Sequence, residues 1–465
     1  MVQDKGFDTI AAIATCVGES GIGIVRLSGK EALEIADEIF VSKDKRSPCD
    51  FKTYTTHYGW ITENSRIKPE AFIDEVILTV MRSPRSYTKE DVVEINCHGG
   101  IVALRRVLEL VLEKGCRLAE PGEFTRRAFL NGRIDLAQAE SVLDIIRAKN
   151  DAALKVGTEQ LKGALSSEIN RIREILLDVL TAIESDIDFP EEGIDAAGLK
   201  SAPLKLKHVH AQLKRLLQGA RCGRILREGI QTVICGKPNV GKSSLLNALL
   251  KQERSIVTSV PGTTRDTIEE IIDIRGIPVC IVDTAGIIEP RDLVEEKAVL
   301  RSRKYMQTAD LILLVFDGSR HLTQDDTSLM KKLKKRNVIA VINKMDLKQR
   351  IERPKVTKRF RQVIDLSAKK LKNMNLLEEK IAHLVYQGGI NRFEPVTISH
   401  VRHIEALKRT EKLIAQAVYS LDNKLSLEFI AQDIKEALAT LDVILGKSFS
   451  EDLLDKIFSE FCIGK

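Results

Sequence analysis

The chain lacks most features that would fix its class at a glance. Its eight cysteines are scattered, with no CxxC pair and no zinc-ligand spacing, so a disulfide framework is not expected. No run of 18 apolar residues occurs, which excludes a membrane-spanning helix. The opening residues, MVQDKGFDTI, have neither a basic start nor an apolar core. No secretory leader is therefore expected, and a reduced, cytoplasmic setting is. Nor is there a large excess of one charge: Lys and Arg number 72, Asp and Glu 66, for a net charge of +6. That balance permits nucleic-acid contact without demanding it. The excess is uneven, however. Lys205, Lys207, Lys214, Arg215, Arg221, Arg224 and Arg227 follow one another with no acid between them, and shorter basic runs occupy 331–336 and 348–361. Each run reads either as a solvated helix face or as a surface for phosphates.

What is present changes texture along the 465 residues. GIGIVRLSG, AFIDEVILTVM and DVVEINCHGG have the β-branched content of strands, and GIVALRRVLELVLEKG has helical spacing that stops at Gly115. From about Glu123 long amphipathic helices follow, through RIDLAQAESVLDIIRAKN, LKVGTEQLKGALSSEINRIREILLDVLTAIESDID and LKLKHVHAQLKRLLQGA. From Gly229 strands alternate with helices, the pattern of a parallel-rich sheet. After about Tyr386 helices return, and Ser448 with Glu451 offers a capping box for the last of them. The expected architecture is a multidomain α/β plus α protein. An α+β domain spans 1–122, a discontinuous helical domain spans 123–228 and 387–465, and an α/β module spanning 229–386 is inserted between the helical segments.

The inserted module carries the chemistry. GKPNVGKS, Gly236 to Ser243, is a phosphate-loop motif between a strand and a helix. Its backbone N–H groups, from Asn239, Val240 and Gly241 through Ser244, suit phosphate oxygens at a helix N-terminus. Lys242 suits the β/γ charge and Ser243 suits Mg²⁺. VPGTTRD follows, with Thr264 as the expected switch threonine on the metal. DTAG comprises Asp283, Thr284, Ala285 and Gly286: the aspartate can hold the metal's water shell and the Gly286 N–H can sense the γ-phosphate. NKMD brings Asn343, Lys344 and Asp346, whose carboxylate can accept both Watson–Crick donors of guanine. Adenine would leave that carboxylate unpaired at a cost of about 1–3 kcal/mol, so GTP is expected over ATP. SAK, Ser367, Ala368 and Lys369, fits the loop over the base. Together these elements predict a Ras-like P-loop G domain. Ile287 stands where many GTPases place a water-orienting glutamine; Glu289, Asp292, Glu295 and Glu296 are the acids at hand. Asn239 either stabilises the phosphate loop or holds a monovalent cation in place of an arginine finger. A regulatory GTPase of the ribosome-assembly type is the rival reading to an enzyme.

Taken whole, GIGIVRLSG, HGG, PGEFTRRAFLNGRIDLAQAE, IDFPEE, LREG, GKPNVGKSSLLNAL, VPGTTRD, DTAG and the terminal FCIGK resemble the MnmE (TrmE) family, GTPases of wobble-uridine tRNA modification. The resemblance implies a folate-binding-like N-terminal domain that dimerises. It also implies an FAD-dependent flavoprotein partner, MnmG, in a heterotetramer, with tRNA as substrate. A carboxymethylaminomethyl group would be added to C5 of the wobble uridine. It further implies K⁺ held by Asn239, Thr258, Val260 and Thr263 within a nucleotide-binding stretch that includes Ser259, Pro261 and Gly262. Mg²⁺ falls to Ser243 and Thr264, and Glu295 becomes the catalytic acid, with Lys242 beside it. 5-Formyl-tetrahydrofolate or a related folate would meet Arg26, Glu94, Arg133 (Lys in some members) and Lys465. The tail Cys462–Lys465 is then expected to dock beside that pocket; FCIGK has only the outline of a prenylation box, with Gly and Lys ill-suited to it.

Overall fold

The computed structural model describes residues 8–63, 72–189, 196–252, 269–283, 309–334, 336–386 and 396–465. The chain divides into two compact units, Met1–Leu143 with Asp442–Lys465, and Asp144–Leu441.

In the first unit seven strands form one sheet: β1 (Ile10–Ile13), β2 (Gly23–Ser28), β3 (Phe40–Ser42), β4 (Thr55–Thr62), β5 (Phe72–Met81), β6 (Val92–Cys97) and β7 (Arg117–Leu118). Their order is β3-β4-β5-β6-β2-β1-β7, and β1–β7 is the parallel pair. Period-two alternation decides the faces. Val25, Leu27, Leu78 and Ile95 point into a core shared with Leu33 and Ala36 of α1 (Ala32–Ile39) and with Leu104 and Val107 of α2 (Ile101–Glu113). The residues between them, Arg26 opposite Glu94 and Tyr58 opposite Ile77, belong to the other face. Beside the sheet, α3 (Glu123–Leu130), α4 (Leu136–Arg147) and the helix Glu451–Phe458 bury Phe129, Leu136, Leu143, Leu454, Phe458 and Phe461 together. The last helix is capped by Ser450, whose hydroxyl accepts from the Leu453 N–H at 3.3 Å. The expected Ser448–Glu451 capping box does not form. The helix begins at Glu451 itself, so the third position falls to Leu453, which has no carboxylate.

In the second unit, α5 (Asp151–Leu161), α6 (Ala164–Asp188) and α7 (Ala196–Glu228) are joined by helices Val401–Asp422 and Leu427–Leu445. The stretch read as one helix from Leu154 to Asp188 breaks at Lys162–Gly163. β8 (Ile230–Cys235), β9 (Glu269–Ile274), β10 (Ile277–Asp283), β11 (Leu311–Asp317), β12 (Val338–Asn343) and β13 (Gln362–Asp365) then form a sheet ordered β13-β12-β11-β8-β10-β9. Among the described strands of this sheet, only β9 runs antiparallel. Its strands are apolar on both faces, as a helix-covered sheet requires. Ile234, Leu313 and Val341 pack with Leu245 and Leu249 of α8 (Lys242–Gln252), while Val233, Leu314 and Ala340 pack with Met330 and Val356. Because β8 lies between β10 and β11, the chain leaves it in opposite directions, and a crevice opens at the carboxyl ends of the strands.

Candidate functional site

That crevice gathers the motifs of the G module. The phosphate loop follows β8, Asp283 ends β10, and Asn343 ends β12. The Asn343 side chain, buried, binds two loops at once. Its Nδ2 donates to the Val240 carbonyl at 3.0 Å, and its Oδ1 accepts from the Ala368 N–H at 3.0 Å and the Lys344 N–H at 2.8 Å. Phosphate loop and base loop are therefore pinned to one strand end. The Lys344 ammonium donates to the Asn239 carbonyl at 2.7 Å and to Asp317 Oδ2 at 2.7 Å. Asn239 sits in the left-handed region, φ 62°, with its side chain exposed. Lys242 is buried and donates to the carbonyls of Gly236, at 3.1 Å, and Lys237, at 2.8 Å, tightening the loop around it. Ser243 and Ser244 open α8 with exposed side chains.

Asp346 is exposed, and Ser367 Oγ donates to its Oδ1 at 2.5 Å, a bond that holds its carboxyl below the usual range. Ionised and oriented, it is ready to accept two donors. Asp317 was missed by sequence reasoning. Burial works to raise its carboxyl, but bonds from Lys344 and Ser319 outweigh this and leave it low. The available signal was positional: Asp317 ends β11 as Asp283 ends β10 and Asn343 ends β12. Thr258, Ser259, Val260, Pro261, Gly262, Thr263, Thr264, Thr284, Ala285, Gly286 and Glu295 lie outside the described residues.

A second cluster lies in the first unit. Arg26 Nε donates to Glu94 Oε1 at 2.8 Å, across the β2–β6 pair. Arg26 Nη1 donates to the Gly464 carbonyl at 3.1 Å, so the terminal tail reaches the sheet. Gly464 has φ +94°, and a Cβ there would overlap the Ile13 carbonyl oxygen and come within 2.9 Å of Ala14 Cα. The tail is thus seated against β1 and the residue after it. Tyr87, also missed, stands between the two arginines: its ring centroid is 6.0 Å from the Arg26 guanidinium carbon and 4.8 Å from that of Arg133. Tyr87 lies in a loop with no local pattern, and only the fold brings it there. Behind it, Arg127 is held by Asp8, Glu90 and Glu123, a buried ionic network fixing α3 to the sheet.

The basic run of α7 is largely spent on neighbouring acids: Lys205 pairs with Asp178, Lys207 with Asp422, Arg224 with Glu228 and Arg227 with Asp144. Among the described residues no helix is long and apolar enough to cross a membrane, and no His/Cys/Asp/Glu group has the make-up of a metal site.

A six-stranded, nearly all-parallel sheet with a phosphate loop and, at the same strand ends, an exposed aspartate oriented by a serine defines a P-loop nucleotide-binding module. The family model described as the MnmE helical domain matches residues 136–462, and the model for the N-terminus of the GTP-binding protein TrmE matches residues 9–133. Clostridioides difficile tRNA modification GTPase MnmE is 46% identical over 98% of this chain and 99% of its own. The Geobacillus thermodenitrificans protein of the same name is 46% identical over 99% of each chain. Among solved structures, the G domain of T. maritima FeoB overlaps 33% of this chain and 96% of that one at 25% identity, with a TM-score of 0.26. The chain belongs to the MnmE family of tRNA modification GTPases.

Proposed function

We propose that this GTPase works in a potassium-dependent cycle. As a homodimer with an FAD-dependent MnmG flavoprotein, in a heterotetramer, it adds a carboxymethylaminomethyl-type group to C5 of the wobble uridine of certain tRNAs. The one-carbon unit comes from 5-formyl-tetrahydrofolate or a related folate, in a cytoplasmic setting. The observation that carries the reading is the Gly464 carbonyl on Arg26, with Glu94 on the same guanidinium. It brings the terminal Lys465 towards Arg26, and such cations suit a folate's glutamate tail while Glu94 suits the donors of its pterin. The exposed Tyr58, Phe72 and Ile77 on the sheet in that unit support a dimer surface.

In the crevice, GTP is held by residues 239–244, 258–264, 283–286, Asn343, Lys344, Asp346 and Ser367–Lys369. Ser243 and Thr264 hold Mg²⁺, and Glu295 orients water. The donor chemistry fits a monovalent cation at Asn239. Lys344 takes that residue's carbonyl, so its amide oxygen is the group presented to an ion, joined by Thr258, Val260 and Thr263. A bound K⁺ would supply the positive charge that an arginine finger supplies elsewhere.

Hydrolysis compared in KCl and NaCl tests the ion: wild type should gain at least tenfold from K⁺, and Asn239→Ala should lose that gain while still binding guanine nucleotide. Indifference of the wild type to the ion refutes the potassium assignment. Nucleoside analysis of tRNA from a deletion strain tests the enzyme: the wobble modification should be absent. If it persists, the chain is a regulatory switch instead.

A further inference from the structure

The chain enters the six-stranded module from α7 and leaves it before helix Val401–Asp422. Both crossings are held by one carboxylate. Arg227, in the last turn of α7, donates from Nε to Asp144 Oδ1 at 2.8 Å. His400, the residue preceding helix Val401–Asp422, places Nε2 2.7 Å from Asp144 Oδ2. Asp144 and His400 are each 9% exposed at the side chain. Burial works to raise the Asp144 carboxyl, and the bonds from His400 and Arg227 overcome it, so the carboxylate is ionised.

The exit stretch is gripped at further points. Gln160 Nε2, buried, donates to the Thr397 carbonyl at 2.6 Å. Gly223 of α7 approaches Ile398 so closely that a Cβ would overlap the Ile398 carbonyl oxygen and sit 2.8 Å from its carbon. The entry side touches the nucleotide site through one strand. Cys280 Sγ of β10 lies 3.7 Å from the Glu228 carbonyl, Val279 pairs with Ile230, and β10 ends at Asp283. Beside the node is a cavity of about 180 Å³, bordered by Asp144, Gly157, Gly223, Arg227 and Ser399. Ser399 Oγ is buried there without a hydrogen-bond partner. The space is a half-open cleft, and an unspent buried hydroxyl beside it leaves room for a second arrangement of the node.

We propose that Asp144 is a positioning residue that couples the G module to the helices of its own unit. A shift of β10 on hydrolysis moves the end of α7, and the Asp144 clamp passes it from Arg227 through His400 to helix Val401–Asp422. Coupling of this kind needs an element that both ends can bias, and the clamp, bonded to both crossings of the chain, is placed to be one. The inference rests on the proposed function, and adds to it that the GTPase cycle acts on tRNA modification through this clamp.

Full-length Asp144→Asn, Arg227→Gln, His400→Gln, the Arg227→Gln/His400→Gln double variant and Asp144→Glu test it, each as the sole copy in a deletion strain. GTP turnover of the purified proteins should stay within about twofold of wild type, while the modified fraction of wobble uridine falls at least about fivefold. The double variant should be no worse than Asp144→Asn, because both bonds end on the same carboxylate. Asp144→Glu should recover part of the modification. Full modification in Asp144→Asn overturns the proposal. So does a parallel loss of turnover and modification in variants that melt like wild type, which marks a mere strut. If Asp144→Asn does not fold, Arg227→Gln, whose side chain is one-quarter exposed, carries the same comparison. Should the deletion strain itself retain modified uridine, the functional reading falls, and this inference with it.

Discussion

Gly464→Ala is the sharpest probe of the terminal tail. Gly464 has φ +94°, where an L-residue is strained by roughly 1–2 kcal/mol. The added methyl would meet backbone: the Ile13 carbonyl oxygen, and Ala14 Cα at 2.9 Å. No rotamer relieves a Cβ, so the last residues must lift from β1. Lifting breaks the Arg26 bond to the Gly464 carbonyl, a hydrogen bond from a charged donor that contributes about 1.5–3 kcal/mol. The Arg26 bond is part of what favours docking, so the strain alone sets the penalty: roughly 1–2 kcal/mol before the overlap is counted, or about tenfold or more in the docked population. Phe461, buried against Phe458, keeps the preceding helix in place, so the damage is confined to the tail. Amide exchange of residues 462–465 should become fast, wobble-uridine modification should fall at least tenfold, and GTP turnover should hold. Cys462→Ala, at an exposed side chain, serves as the control that changes little. Modification at the wild-type level in the Gly464→Ala variant, despite an undocked tail, would show that docking has no part in the chemistry.

Other expectations follow from the same geometry. Asp346→Ala removes the acceptor proposed for both guanine donors and should weaken GTP binding by roughly 10²–10⁴, at about 1.5–3 kcal/mol per bond to a charged group, measured by titration calorimetry. Ser367→Ala leaves the carboxylate but frees its orientation, so a smaller loss is expected; equal losses would place Asp346 away from the base. Stability against pH follows from Asp8, Glu123 and Asp144, whose carboxyls are all held low: burial opposes this in each, and their arginine or histidine partners prevail. A depressed folded-state value contributes stability that is fully present above the unfolded value, near 4, and lost as pH falls through the folded one. Urea melts should therefore be flat in these contributions from about pH 5 to 7 and weaken below about pH 4. A rise in stability on acidification would contradict the ionic networks around Arg127 and Asp144.

Much of the G module was legible because its signals are local. Most strands of its sheet are short apolar runs, and the phosphate loop, DTAG and NKMD each sit at the end of one, so the phosphate loop, Asp283 and Asn343 could be placed before any contact was known. What sequence could not supply was the pairing of distant residues. Lys344 on the Asn239 carbonyl, Tyr87 between Arg26 and Arg133, and Asp144 beneath Arg227 and His400 join positions separated by dozens to hundreds of residues. Local rules also failed where a neighbour competed. Ser450 took the cap expected of Ser448, and α7 runs through Pro203, although its helical pattern in sequence is plain only from Leu204 onward. The basic run of α7 shows the same limit from another side. As sequence it is a stripe of cations; in the fold Asp178, Asp422, Glu228 and Asp144 answer several of them. Paired cations release few counterions, so α7 should contribute little to any salt dependence of tRNA binding. Neutralising Lys205 and Lys207 together should leave the slope of log affinity against log salt nearly unchanged. A slope shallower by about 2 would mean that the two ammonium groups leave Asp178 and Asp422 for phosphate, and that the ion pairs of the free protein are not those of the complex.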